Sequence, residues 1–397
     1  MANKTEVKPA KPPVNWVARV AGYVLVAVIA FVAGNHTTDL VALMKGKSGP
    51  SNLDLSSVQD LYDKLRVNFD GQLDAQKLID GAKHGLVSAA GDPHTVYFTA
   101  EEAKEFMNDV NNTFSGIGAE IGKQDDKLIV VSPLDGSPAK QAGLKPGDVI
   151  AKVNGEATDG WSIEKAVSKI RGPALTTVKL SVIRDGQLKE ISITRQDITA
   201  PSVSHKVLDG NIGYLRISTF AQNTADDARA AALSLKKQHV KGVILDLRSN
   251  GGGYLDAGQG VASIWLKDNQ TVVTERTGDK VTMKLTALGD PILADMPTVV
   301  LVDGGTASAS EIVAAALRDN GKAKLVGTKT YGKGTVQEPI KLDDGGVLKV
   351  TVHHWYTPND QSIDGNGLKP DKQVKPTEQD IKQQNDVQLK AAEELLK

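Results

Sequence analysis

The apolar positions of this chain change period several times, and each change marks an element. The first run, Trp16 to Gly34, is apolar almost throughout; its single charge, Arg19, lies near one end, where a long side chain can snorkel. About 19 residues at ~1.5 Å rise nearly match a hydrocarbon core of ~30 Å. Residues 35–50 are small and polar and read as a linker. From 51 to 112 the spacing is helical. Val58, Leu61, Leu65 and Val67 lie near helical spacing in SSVQDLYDKLRVNF, after serine caps, and DAQKLIDGAKHGLVSAA continues the pattern. GDPHT breaks it, and TAEEAKEFMNDVNN restarts it with Thr99 as a cap and acids in the first turn. This predicts a helical hairpin or small bundle.

Between 113 and 200 the texture turns to strands. KLIVVSPL is a strand, and LKPGDVIAKVNGE a turn, a strand and a second turn. SIEKAVSKIRG is a short helix with Ile163, Val167 and Ile170 on one face. TTVKLSVIRDGQLKEISITR is a hairpin, with Asp185-Gly186 supplying positive φ at the bend. From 201 to about 376, strands that end in glycine turns alternate with helices: GVILDLR before SNGGG, and TVVLVD before GG and ASEIVAAALRD. That order argues for an α/β layer, partly parallel. VQEPIKLDDGGVLKVTVHHWYT adds a hairpin, and residues 377–397 read as a polar terminal helix.

Composition narrows the chemistry. The 397 residues are enough for two or three domains. A net charge of −1 gives no nucleic-acid footprint. The absence of cysteine excludes disulfides, thiolate metal sites, a cysteine nucleophile and a lipoprotein anchor. Lys4, Lys8 and Lys11 ahead of the apolar run predict a cytoplasmic leader (1–15), a single-pass anchor (16–34) and an extracytoplasmic bulk. The rival reading is a cleaved signal peptide and a secreted or periplasmic protein; Val32-Ala33-Gly34 lacks the Ala-x-Ala form that would favour it.

The segment VDGGTASASEIVAAAL carries Thr306, Ser308 and Ser310 on a glycine turn before a helix. At a helix start the backbone N–H groups are unpaired and the dipole is positive, so a developing oxyanion can be held there, at ~3 to 4 kcal/mol per donor. A serine here is either a nucleophile or merely a cap. Among the seven histidines only His353 and His354 lie in the later half of the core; both read as strand residues facing opposite ways, and no Ser-His-Asp pattern stands out. Lys333, between Gly332 and Gly334, is either a general base or a surface turn residue. As a base it must be neutral, and moving its pKa from ~10.4 toward ~7 costs the ammonium about 4 to 5 kcal/mol, which burial can supply. If 333–337 is extended, Gln337 points the same way as Lys333 and can orient it without adding charge. Gly251-Gly252-Gly253 follow a buried strand, match no nucleotide-loop pattern, and can expose a second oxyanion donor; Asp246 and Arg248 read as scaffold, Arg248 pairing locally.

LDLRSNGGG, TASASEIVAAALRDNG and KTYGKGTVQ, in this order along the chain, resemble the core signatures of the carboxyl-terminal processing peptidases, or tail-specific proteases. The resemblance covers residues 51–397. After the membrane helix read above, it implies a multidomain chain: a small helical region (51–112), a PDZ domain of β-sandwich or barrel-like form (113–200), an α/β serine protease core like that of ClpP and crotonase (201–376), and a C-terminal helix (377–397). It implies Ser308 as nucleophile, Lys333 as base, Gln337 as its orienter, and Ala309 with Gly252 or Gly253 as oxyanion donors. FSGIGAEI resembles the PDZ carboxylate loop, so Gly116, Ile117, Gly118 and Ala119 would bind a chain terminus, with a peptide strand added beside Ala119 to Ile121. Arg171 stands where the family places an arginine coupling the PDZ domain to the protease body. The implied activity is that of a serine-type endopeptidase acting on protein C-termini, with no metal or cofactor, no nucleic-acid partner, and a homodimer through the N- and C-terminal helical regions. The competing reading is an inactive PDZ scaffold, against which stand the intact serine, lysine, glutamine and both glycine loops.

Overall fold

The computed structural model describes residues 53–134 and 136–397. The expected leader (1–15), anchor (16–34) and linker (35–50) lie outside the described residues; within those described, no helix is long and apolar enough to cross a membrane. The chain divides into two compact units, residues 1–78 and 79–397.

The N-terminal segment forms α1 (Ser56–Asn68), α2 (Ala75–Ser88), β1 (Val96–Phe98) and α3 (Ala100–Val110). The serine caps expected for α1 are not made. Leu55 holds the cap position without a side-chain bond, and Asp54 Oδ1 accepts from Ser56 N–H at 2.9 Å instead. Thr99 caps α3 as expected, in a reciprocal box with Glu102. The region is not wholly helical: residues after the GDPHT break pair as β1, which period alone could not reveal in three residues.

The next domain runs through β2 (Thr113–Gly116), β3 (Ala119–Gln124), β4 (Lys127–Pro133), α4 (Pro138–Gln141), β5 (Val149–Val153), β6 (Glu156–Ala157), α5 (Ile163–Ile170), β7 (Thr177–Arg184), β8 (Gln187–Thr194) and β9 (Gln196–Thr199). Its main sheet has the order β3-β4-β5-β7-β8, and β2 pairs with β9 separately. Asp185 (φ 53°) and Gly186 (φ 74°) make the hairpin bend. Leu128, Val130, Ile150, Val178, Leu180 and Ile170 close its own core.

The last domain comprises β10 (Val203–Leu208), β11 (Ile212–Ile217), α6 (Thr224–Lys237), β12 (Gly242–Asp246), α7 (Leu255–Ala262), β13 (Thr271–Thr277), β14 (Lys280–Thr286), β15 (Thr298–Val302), α8 (Ala309–Asp319), β16 (Ala323–Gly327), β17 (Thr335–Lys341), β18 (Val347–Tyr356), β19 (Lys372–Gln373), α9 (Glu378–Lys382) and α10 (Val387–Leu395). One sheet, ordered β10-β11-β12-β15-β16-β19, is parallel from β11 onward. Its central strands β12 and β15 are buried at every residue, as strands covered on both faces must be. Helices α6, α7 and α8 cover one face. The other is closed by α10, whose Ala391 and Ala392 pack on Ile244, Val299 and Leu301. The polar terminal helix expected from 377 is therefore two helices. Asp386 caps the second, accepting from Leu389 N–H at 2.9 Å, and the small alanines let that helix lie flat on the sheet. A second, antiparallel sheet joins β1, β18, β13, β14 and β17.

Candidate active site

At the carboxyl end of β15 the chain turns through Asp303-Gly304-Gly305 and enters α8 at Ser308, whose φ of 54° and ψ of −120° are strained for a residue with a side chain. The three hydroxyls of this turn have separate environments. Thr306 is fully buried, donating to Leu247 O at 2.9 Å and accepting from Asp303 N–H at 2.9 Å. Ser310 is fully buried and donates to Asn250 O at 2.9 Å. Ser308 faces a cavity of about 450 Å³, shared with Ala309, Gly251 to Gly253, Lys333 and Gln337. His353 and His354 do not line it; His353 Nδ1 bonds Thr277 Oγ1, and His354 sits 3.7 Å from Asp364.

The triple-glycine loop lies against the serine. A side chain on Gly252 would come within 2.8 Å of Ser308 Cβ and 3.0 Å of Ala309 N, and one on Gly253 (φ 145°) would meet Phe220 O at 2.3 Å. The two glycines differ in their N–H groups. Gly252 N–H donates to the buried Asn250 Oδ1 at 2.9 Å, whereas Gly253 N–H and Ala309 N–H have no partner among the described hydrogen bonds. Asn250 also donates to Ile217 O, and Asp303 Oδ1 accepts from Ser249 N–H and Gly305 N–H, so both glycine turns are fixed to one another.

Lys333 is brought in by glycines that no other residue could replace. Gly332 (φ 96°) passes 2.7 Å from Gly367 N, measured from where a Cβ would sit, and Gly334 is equally tight against Asp364. Burial pulls the Lys333 ammonium below the ordinary lysine value, nearby Lys349 adds to the fall, and Glu311 opposes both. Among the described hydrogen bonds none joins Lys333 Nζ to Ser308 Oγ or to Gln337. The Gln337 amide nitrogen is held by Thr335 Oγ1 at 2.6 Å and more weakly by Thr351 Oγ1 at 3.4 Å. Lys333 lies ahead of β17, which begins at Thr335, and its side chain lines the same cavity as that of Gln337.

Glu311, which the sequence reading did not single out, joins the two loops. It is fully buried on the first turn of α8. Its Oε2 accepts from both Ser308 N–H and Lys333 N–H at 3.0 Å; its Oε1 accepts from Gly332 N–H at 2.8 Å and Thr330 Oγ1–H at 2.5 Å. Burial pushes its carboxyl above the usual range while these four donors resist the rise. Since all four contacts donate, the group they fit is the acceptor-only carboxylate. Ser-x-x-Glu at a helix start is a sequence-visible capping pattern; nothing local says that the same carboxylate also ties down a loop more than twenty residues later.

Comparison with known proteins agrees with this layout. Residues 211–374 match the pattern of peptidase family S41, and residues 115–194 that of a PDZ domain. A probable CtpA-like serine protease of Staphylococcus haemolyticus is 37% identical over 88% of this chain and 71% of its own length. The chain belongs to peptidase family S41. The carboxy-terminal processing protease CtpA of Bacillus subtilis is 36% identical over 89% of this peptidase and 75% of the relative. A crystal structure of a putative S41 protease from Bacteroides fragilis shares the fold, with TM-score 0.52, 22% identity, and coverage of 77% and 86%. The chain is thus a serine-type peptidase of the carboxy-terminal processing kind, carrying a PDZ domain.

In the PDZ domain of this S41 peptidase, Gly116 ends β2, Ala119 opens β3, and Ile117 and Gly118 turn between them. Gly118 has φ 70°, and a side chain there would strike Ser137 Cβ at 2.5 Å. The carbonyls of Ile117 and Gly118 are taken by Ala139 N–H and Leu134 N–H, while the N–H groups of Ile117 and Gly118 have no partner among the described backbone bonds. Arg171, at the end of α5, lies beside Gly116 and stacks its guanidinium 4.7 Å over the Phe114 ring, a contact within the PDZ domain. Arg248 reaches further than local pairing: it holds Asp246 and also Asp386 of the C-terminal segment, bidentately at 2.8 Å.

Proposed function

We propose that this peptidase is a membrane-anchored endopeptidase that cleaves proteins presented by their C-terminal tails, with Ser308 as nucleophile and Lys333 as general base. The observation that carries the reading is the shared carboxylate of Glu311, which holds the backbone of both residues at one cavity. Neutral Lys333 Nζ takes the Ser308 hydroxyl proton as Oγ attacks the scissile carbonyl. The resulting oxyanion is received by Ala309 N–H and by Gly253 N–H, the loop donor left uncommitted. Lysine then returns the proton to the leaving amine, and in the second half it takes a proton from the water that releases the acyl group. Gln337, anchored through its amide nitrogen, keeps its carbonyl oxygen free to accept from the lysine. The serine–lysine hydrogen bond needed for this step is one that tightens as the transition state forms.

The tail carboxylate is received by the N–H groups of Ile117 and Gly118, with the peptide added as a strand beside β3 and Arg171 at the rim. The anchor at 16–34 places this machinery outside the cytoplasm, by the lysine-rich leader. The uncovered apolar side chains of α1, such as Leu61 at 65% and Val67 at 76% exposure, are read as a docking face for a second copy. The test uses residues 35–397 and an unstructured protein with an apolar tail. Ser308→Ala and Lys333→Ala abolish cleavage, while changes at His353 and His354 leave it. Full activity in Lys333→Ala overturns the assignment of the base.

A further inference from the structure

A second lysine shares the catalytic cavity and has no role in the reaction as described. Lys349, on β18, lies opposite Pro339 of β17 and opposite Val96 of β1. Its ammonium sits 4.9 Å from the centroid of the Phe106 ring and 5.5 Å from that of Phe98, and these two rings are themselves stacked at 5.0 Å. Among the described residues it has no carboxylate within ion-pairing distance. It lines the same cavity as Ser308 and Lys333.

We propose that Lys349 is a positioning residue for catalysis: its ammonium, caged by Phe98 and Phe106, repels a second positive charge in the cavity and so keeps Lys333 uncharged as the base. The inference rests on Lys333 being that base.

Two lysines in one partly dry cavity share their protons, and the charge settles where it is better stabilised. Around Lys349 the stabilising groups are two aromatic faces and, at longer range, Asp92 from the turn before β1. Asp92 accepts from Thr95 Oγ1 and His94 N–H, and despite burial it is held down at about 2, so it is ionised throughout the working range. Around Lys333 the charges are Lys349 from β18, which lowers its proton affinity, and Glu311 from α8, which raises it. Glu311, however, is already occupied by four donors. Asp109 of α3, one turn after Phe106, lines the same cavity. Burial depresses both lysines, but only Lys349 has a cage that suits a cation. The charge therefore stays on Lys349, and Lys333 gives up its proton. A like charge on the order of 10 Å away, at an effective dielectric of about 20, moves a neighbour by about one pH unit.

The experiment measures the pH profile of kcat/KM for a tail-bearing substrate, and in parallel the pH dependence of Ser308 modification by a serine-directed sulfonyl fluoride. Lys349→Met fills the aromatic cage without charge. The expected result is an acid limb displaced to higher pH by about one unit in both readouts, a roughly tenfold loss on that limb that is recovered as pH rises. Lys349→Arg keeps the charge and keeps the limb near its original place. The proposal is overturned if Lys349→Met lowers the rate equally at every pH, if its limb does not move, or if Lys349→Arg moves like Lys349→Met. Activity in Lys333→Ala defeats the base assignment instead, so the two failures are distinguishable.

Discussion

Replacing Glu311 with glutamine changes one atom and little volume, yet it breaks the contact that joins the two catalytic loops. The carboxylate accepts four hydrogen bonds and donates none. A glutamine must turn its NH2 toward one pair of these donors. The cheaper choice faces Thr330 and Gly332, because the threonine hydroxyl can rotate to accept; Gly332 N–H is then left buried without a partner, at ~1 to 3 kcal/mol. The bonds from Ser308 and Lys333 N–H persist but lose their charge assistance, roughly half their strength. The sum is about 3 to 4 kcal/mol, within the 5–15 kcal/mol margin of a typical domain, so Glu311→Gln folds but melts roughly 10 °C lower. Loosened positioning lowers kcat by about 10²-fold. The pH profile adds a signature that mere destabilisation does not produce. Glu311 raises the Lys333 proton affinity, so its neutralisation moves the acid limb to lower pH, opposite to the displacement expected for Lys349→Met. Thermal unfolding and a pH series of kcat/KM on the same preparation decide the matter. Wild-type kcat/KM with an unmoved limb would refute the role given to this carboxylate.

Three further outcomes follow from the same geometry. Gly253→Ala places a methyl 2.3 Å from Phe220 O at a φ of 145°, so cleavage falls by at least 10²-fold while tail binding to the PDZ domain, read by fluorescence anisotropy, is retained. Ser310→Ala loses a single buried bond to Asn250 O, costs about 1 kcal/mol in urea unfolding and keeps most of the activity; a loss as complete as that of Ser308→Ala would contradict the division of roles. Burial pushes the Asp386 carboxyl up, but Arg248 and Leu389 N–H outweigh it and hold the group below the usual carboxylate range. A depressed folded value means stability that is present above the unfolded value of ~3.9 and lost as pH falls through the folded one. Hydrogen exchange in α10 accordingly accelerates as the wild type is acidified below about pH 4, and Asp386→Asn removes that step; an unchanged acid response in the variant would tell against the tie to Arg248.

Much of this protein was legible in its sequence because the signals were local. Period-two runs, the Asp185-Gly186 bend, the Thr99 cap and the glycine-rich ends of β12 and β15 are properties of a few consecutive residues, fixed by sterics and by where apolar side chains must face. Ser308 at a helix mouth and Lys333 between glycines could be named as candidates for the same reason. Which serine faces the cavity was not local: Thr306 and Ser310 have the same chemistry, and only the burial of their hydroxyls against Leu247 O and Asn250 O separates them. The bulge at Val352, which the pairing of β17 with β18 skips, is a property of two paired strands and has no signal in either run alone. Glu311, the Asn250 bond to Ile217 O, the reach of Arg248 to Asp386 and the cage around Lys349 depend on segments brought together across tens to hundreds of residues. The sequence determined which groups were available and which turns could present them; chain packing alone decided which became neighbours, because the energy of a buried hydrogen bond or charge depends on what excludes water around it.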